Sequence, residues 1–126
     1  MKESIELQEY PVFCLELEKT ESRFSTVDKI VAFLTERVED HPMAAFIGVF
    51  DHLEHSRSIK EATIDHKLLN AKNVVFCFGL CLHDAKALAS RPRSIGVVEY
   101  PDQFVISFIE APMPVVNSAM ESWARS

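Results

Sequence analysis

Residues 12–18, VFCLELE, alternate without a break, with Phe13, Leu15 and Leu17 on one side and Cys14, Glu16 and Glu18 on the other. A period of two puts successive side chains on opposite faces, so this stretch predicts a strand with one face buried. The period then changes. Val27, Ile30, Val31, Leu34 and Val38 recur at three- and four-residue intervals, the spacing of one face of a helix over residues 26–39. Ser25 is placed to cap that helix, Asp28 lies in the first turn where the helix dipole favours negative charge, and His41-Pro42 stops it. Residues 44–51, AAFIGVFD, are apolar on both alternating sets, Ala45, Ile47 and Val49 against Phe46, Gly48 and Phe50. Such a strand is expected at the centre of a sheet, or under a helix with a partner on its other side.

The segment from 52 to 72 is polar, with Ile59, Ile64, Leu68 and Leu69 dispersed along it; it predicts a connection with one or two short helical turns. Residues 73–81, NVVFCFGLC, return to β-branched and aromatic types, which favour a strand. Val74, Phe76, Phe78 and Leu80 then face one way, and Val75, Cys77, Gly79 and Cys81 the other. Four residues at about 3.3 Å each set the two cysteines about 13 Å apart. That exceeds the roughly 7 Å Cα separation a disulfide spans and the reach of one zinc ion at about 2.3 Å per sulfur bond. Each thiol therefore stands alone.

Residues 83–90 predict a short helix, with Asp84 as its cap and Arg91-Pro92 as its close. Residues 94–100 and 103–109 predict a hairpin that turns at Pro101-Asp102, where proline is pre-set for the first central position of a tight turn. Pro112 and Pro114 introduce a final helix on which Val115, Ala119 and Trp123 align, with Val116 and Met120 beside them. The order β-α-β-(turns)-β-α-β-β-α predicts an α+β two-layer sandwich of about five strands, mostly antiparallel or mixed, with three helices. No linker, repeat or low-complexity tract divides the chain, so residues 1–126 are expected to form one domain. Three helices cannot cover both faces of such a sheet. The remaining face would be sealed by a second copy, which predicts a homodimer.

Composition narrows the function. At 126 residues and 48% hydrophobic, the chain can bury a core without disulfides or a structural metal. Acids outnumber bases 19 to 13, and the bases are scattered singly apart from Arg91 and Arg93. Phosphate contacts dominate nucleic-acid affinity, so this balance excludes a nucleic-acid partner. No stretch approaches the ~20 apolar residues of a membrane span, and MKESIELQEY lacks the apolar run of a secretory signal. Three cysteines, an odd number set in apolar runs, fit a reducing cytoplasm.

Candidate chemistry gathers in two places. Asp51-His52-Leu53-Glu54-His55 follows an apolar strand. A helical turn there would bring His52 and His55 to one side, where they could hold a divalent metal with Asp51 or Glu54, and with His66 or Cys77 as a further ligand. The bland alternative is a solvated loop capped by Asp51. The second place is Arg91-Pro92-Arg93, where two guanidiniums and the backbone amides of Ser94 and Ile95 could clamp a small anion. Against it, Arg91 could merely neutralise a helix end, and Arg93 could pair with Glu99 or Glu110. A thiol enzyme built on Asp51, His52 and Cys77 is a weaker reading, because free cysteine in an apolar strand behaves as a small hydrophobe. The expectation is a non-enzymatic homodimer that binds a small anionic ligand through Asp51, His52, Arg91, Arg93 and Ser94. No resident cofactor is expected; the alternative is a metal on His52 and His55.

Three segments carry a resemblance: AAFIGVFDH at 44–52, NAKNVVFCFG at 70–79 and RPRSIGVVEYPDQFVISFIEAP at 91–112. With them, nearly the whole chain resembles a family of small bacterial proteins known as a domain of unknown function (number 6858). In the order of its elements alone it is similar to domain of unknown function 302. The resemblance implies an α+β dimer and carries no activity with it.

Overall fold

The computed structural model describes residues 1–4, 11–79 and 82–126, so Leu80 and Cys81 lie outside it. Five strands, β1 (Val12–Glu18), β2 (Ala44–Asp51), β3 (Asn70–Phe78), β4 (Arg93–Glu99) and β5 (Gln103–Ile109), form one sheet. Its spatial order is β1-β5-β4-β3-β2, and every neighbouring pair is antiparallel. The helices are α1 (Val27–Asp40), α2 (His52–Arg57) and α3 (Pro114–Arg125), with a 3-10 helix at Ala85–Ser90. The architecture is the expected α+β one, with α1 and α3 packed on a single face.

The alternation read from the sequence sets the two faces. Phe13 and Leu15 on β1, Val74, Phe76 and Phe78 on β3, Ile95 and Val97 on β4, and Phe104, Ile106 and Phe108 on β5 meet the apolar stripe of α1. From α3 come Val116, Met120 and Trp123. Trp123 lies flat on Phe78 (12° between planes) and edge-on to Phe76, so it belongs to the core. Burying an aromatic ring fully removes on the order of 150–250 Å² from water. Phe76 and Phe104 are both completely inaccessible, so the centre of the sheet is where the fold is held most firmly. The turn at Pro101-Asp102 closes as predicted, with the Tyr100 amide donating to the Gln103 carbonyl at 2.8 Å.

Four expectations are corrected. The cap of α1 is Thr26, whose Oγ1 accepts the Lys29 amide at 3.1 Å; Ser25, one residue earlier, meets the Lys29 ammonium instead. The segment at 85–90 is a 3-10 helix without a buried residue, because its apolar residues are alanines and one leucine, too little to fasten a longer helix to the core. More consequential, β2 is an edge strand and not a central one. Phe46, Ile47, Val49 and Phe50 are 36–56% exposed. Finally, its two sides are not the alternating sets read from the sequence. The register against β3 shifts between Phe46 and Gly48, and one extra residue at Ile47 reverses the parity that follows. Phe46 and Val49 therefore share the helix-covered side, opposite Phe76 and Val74, while Gly48 and Phe50 share the uncovered side, opposite Val75 and Asn73.

Candidate functional site

The uncovered face of the sheet holds the candidate site. Ala71, Asn73, Val75 and Cys77 of β3 point to it, flanked by Ser94, Gly96 and Val98 of β4 and by Val105 and Ser107 of β5. Its middle is low. A side chain at Gly96 would come within 3.7 Å of Asn73 Nδ2 and of Ser107 Oγ.

Asp51 ends β2 and starts α2. Its Oδ1 accepts the Glu54 amide at 3.0 Å, and its Oδ2 lies 3.9 Å from Lys72 Nζ. It is a helix cap and a partner to a lysine on the covered side, so it stands apart from the other predicted ligand residues. The next residue turns the other way. His52 lies against the Phe50 ring (5.4 Å between centroids), as does His55 (5.3 Å). His52 Nδ1 faces Asn73 Oδ1 at 3.2 Å. An amide oxygen only accepts, so in this arrangement Nδ1 carries the hydrogen. Asn73 Nδ2 then donates to Ser94 Oγ at 2.8 Å. Three side chains from three elements thus form one polar row on a face that also carries Ser107 of β5 and, toward its β1 edge, Glu16 and Glu18.

The row ends at a cavity of about 320 Å³ lined by Ala89, Ser90, Pro92, Arg93, Ser94 and Ile109. A volume of that order suits a small molecule. Arg93 Nη1 donates to the Ile109 carbonyl at 2.9 Å, which ties the arginine to the neighbouring strand. Glu99, at the opposite end of β4 from Arg93, pairs with Lys19 at 2.7 Å. Arg91 does not line this cavity; it lines a smaller hollow with Phe78, Ala111 and Met113, which Ser90 and Arg93 also border. Of the five predicted ligand residues the structure therefore links His52, Ser94 and Arg93 in turn, joins Arg91 to Arg93 through the second hollow, and sets Asp51 elsewhere.

For a metal, His52 and His55 do share the Phe50 ring. Among the described residues, however, no group of three or more His, Cys, Asp or Glu side chains converges. Cys77 is half-buried, with its Sγ donating to the Phe78 carbonyl at 3.6 Å, and lies beside Pro42, Met43 and Ala45. It stands four residues along β3 from Asn73, a distance of about 13 Å. His52, bonded to Asn73, is at the far end of the face from that thiol. Cys81 lies outside the described residues.

The family of unknown function DUF6858 matches residues 1–126. The chain belongs to that family. The match bears on DUF6858 alone and does not extend to the likeness in layout with domain of unknown function 302. No curated protein and no solved structure matches the chain. Among the described residues, no helix is long and apolar enough to cross a membrane.

Asn73 is the residue of this DUF6858 site that sequence reasoning passed over. A signal was available: a lone amide at the head of VVFCF, in a strand otherwise built for burial, needs a polar partner on whichever face it takes. What the sequence could not supply was the partner, since the residues that meet Asn73 lie 21 positions away in both directions.

Proposed function

We propose that this protein is a non-enzymatic, cytoplasmic, homodimeric module that binds a small anionic ligand in the cavity between Arg93 and Ser94. One observation carries the reading. Ser94 Oγ accepts from Asn73 at 2.8 Å, which leaves its own O–H to donate, and Ser94 shares its cavity with the Arg93 side chain and Ser90. The Ser90 hydroxyl is spent on the Ala87 carbonyl at 3.1 Å, so the donors offered are the guanidinium and the Ser94 hydroxyl, which suit a carboxylate or phosphate whose oxygens accept charge-assisted hydrogen bonds. The row from His52 fixes the Asn73 amide and, through it, the direction of the serine hydrogen.

The dimer follows from the bare face. Seven residues at about 3.3 Å and five strands at about 4.8 Å give a surface on the order of 500 Å² in projection. Two such faces reach about 1,000 Å², where specific interfaces begin. The cavity opens at the edge of this face, so a second copy would narrow its mouth.

Thermal melts in inorganic phosphate and in succinate test the site. Wild type is expected to gain stability with ligand, while Arg93→Ala and Ser94→Ala lose that response; an Arg93→Ala protein that responds like wild type sinks the site. Arg93→Lys, which keeps a charge but not the fork, is expected to keep part of the effect.

A further inference from the structure

The apolar excess of β2 is left unexplained by the fold. Among the described residues it pairs with β3 alone, which leaves its outer backbone edge open. Beside it runs an open groove of about 480 Å³ between β2 and α1, floored by Phe46 and Val49 and walled by Ala32 and Thr35. Glu36 and Glu39 stand on its rim, and among the described residues neither has an ion pair. Asp28, also on the rim, is held by Lys72 at 2.6 Å.

An exposed edge strand is a template for another strand, and proteins normally guard it with a charge or a proline. The other edge, β1, carries Glu16 and Glu18. Residues 44–50 of β2 carry neither a charge nor a proline; the bulge at Ile47 is their one irregularity. A second copy is a poor occupant. Pairing β2 with itself about a twofold axis would set α1 beside its own image and crowd the same carboxylates together.

We infer that the β2 edge and the α1 groove form a docking surface for an extended, cationic segment of another protein, in which apolar side chains and lysine or arginine share the face turned toward α1. Its backbone would extend the sheet beyond β2. Its apolar residues on the helix side would fill the floor at Phe46 and Val49, and its cations would reach Glu36 and Glu39. This surface shares no lining residue with the Arg93 cavity.

The test uses the full chain and a fluorescent, end-capped octapeptide of sequence VTKTVTKT, whose valines and lysines share one face when it is extended, read by anisotropy, with an amide hydrogen-exchange map of the complex. Expected are saturable binding, new protection on β2, and no comparable binding of the glutamate–valine counterpart. Reversing Glu36→Lys and Glu39→Lys together is expected to weaken binding about tenfold or more, with added salt doing the same to wild type. Ile47→Lys, which guards the edge directly, is expected to abolish it, and serves if the double reversal fails to fold by circular dichroism. Arg93→Ala is expected to leave it unchanged. The inference is overturned if binding does not saturate, if the acidic peptide binds equally, or if charge reversal has no effect. Protection on β1 alone would also overturn it, as would β2 already covered by a second copy in the absence of peptide.

Discussion

Lys72 on β3 reaches across to α1 and sets its ammonium 2.6 Å from a carboxylate oxygen of Asp28, 44 residues away in sequence. The lysine projects from the covered side of the sheet, in register with buried Val97, and its side chain is only 20% exposed. The hydrogen bond to Asp28 holds the Lys72 pKa above its ordinary value of 10.5; partial burial pulls the other way, and the charges of Asp28 and Asp51 add to the rise. A lysine raised on folding adds stability that is complete below the unfolded value and is lost as pH climbs through the folded one. Comparing wild type with Lys72→Met by urea unfolding should thus show a difference that is flat up to about pH 9 and shrinks above about pH 10.5. Asp28 is largely exposed, so that difference should be on the order of 0.5–1 kcal/mol. A gap that stays constant into strong alkali would mean that the pair contributes nothing through charge.

Asn117 closes the chain between β5 and α3. Its Oδ1 accepts the Ala111 amide and its Nδ2 donates to the Ala111 carbonyl, so one side chain satisfies both backbone groups of a residue that is 7% exposed. Asn117→Ala leaves both groups unpaired and is expected to cost about 1–3 kcal/mol by urea unfolding. Asn117→Asp keeps the acceptor but sets a carboxylate against the Ala111 carbonyl, and should be no better tolerated. A change below about 0.5 kcal/mol in both variants would show that water replaces the clasp.

Most of the fold was legible because it depends on period and turn chemistry. The alternation of VFCLELE, the helical stripe from Val27 to Val38 and the Pro101-Asp102 turn each stated their element locally, and antiparallel neighbours need only short connections. What escaped was set by tertiary packing. The bulge at Ile47 has no local signature, since AAFIGVFD is apolar at nearly every position and cannot reveal which residue is extra. The edge position of β2 was hidden for the same reason: an apolar strand reads as central whether its cover is a neighbouring strand or something outside the chain. The site was half legible. His52, Arg93 and Ser94 stand out by type, whereas Asn73, which joins two of them, shows its meaning only once β2, β3 and β4 lie side by side.

The thiol reading yields a separate expectation. Cys77 sits beside Phe76 and Phe78, about 13 Å along the strand from the amide that holds His52. Iodoacetamide labelling of the native protein, mapped by mass spectrometry, should modify Cys77 no faster than an unactivated thiol. His52→Ala should leave its rate unchanged. A Cys77 that labels rapidly, and slows when His52 is removed, would restore the enzyme reading.

The bare sheet face makes the last expectation. Val98 lies on this face in register with Ala71 on one side and Val105 on the other, and no helix among the described residues packs over it. Sealing this face with a second copy would place Val98 near the centre of the contact, where an unpaired charge is least tolerated. Light scattering should give wild type twice the chain's 14.3 kDa, and Val98→Lys should return a folded protein near the mass of one chain. Lysine is tolerated in the free monomer because its charge reaches water there, so the variant separates loss of association from loss of fold. A wild type that stays at one chain's mass at high concentration would overturn the dimer and leave the Arg93 cavity to be tested as the site of a monomer.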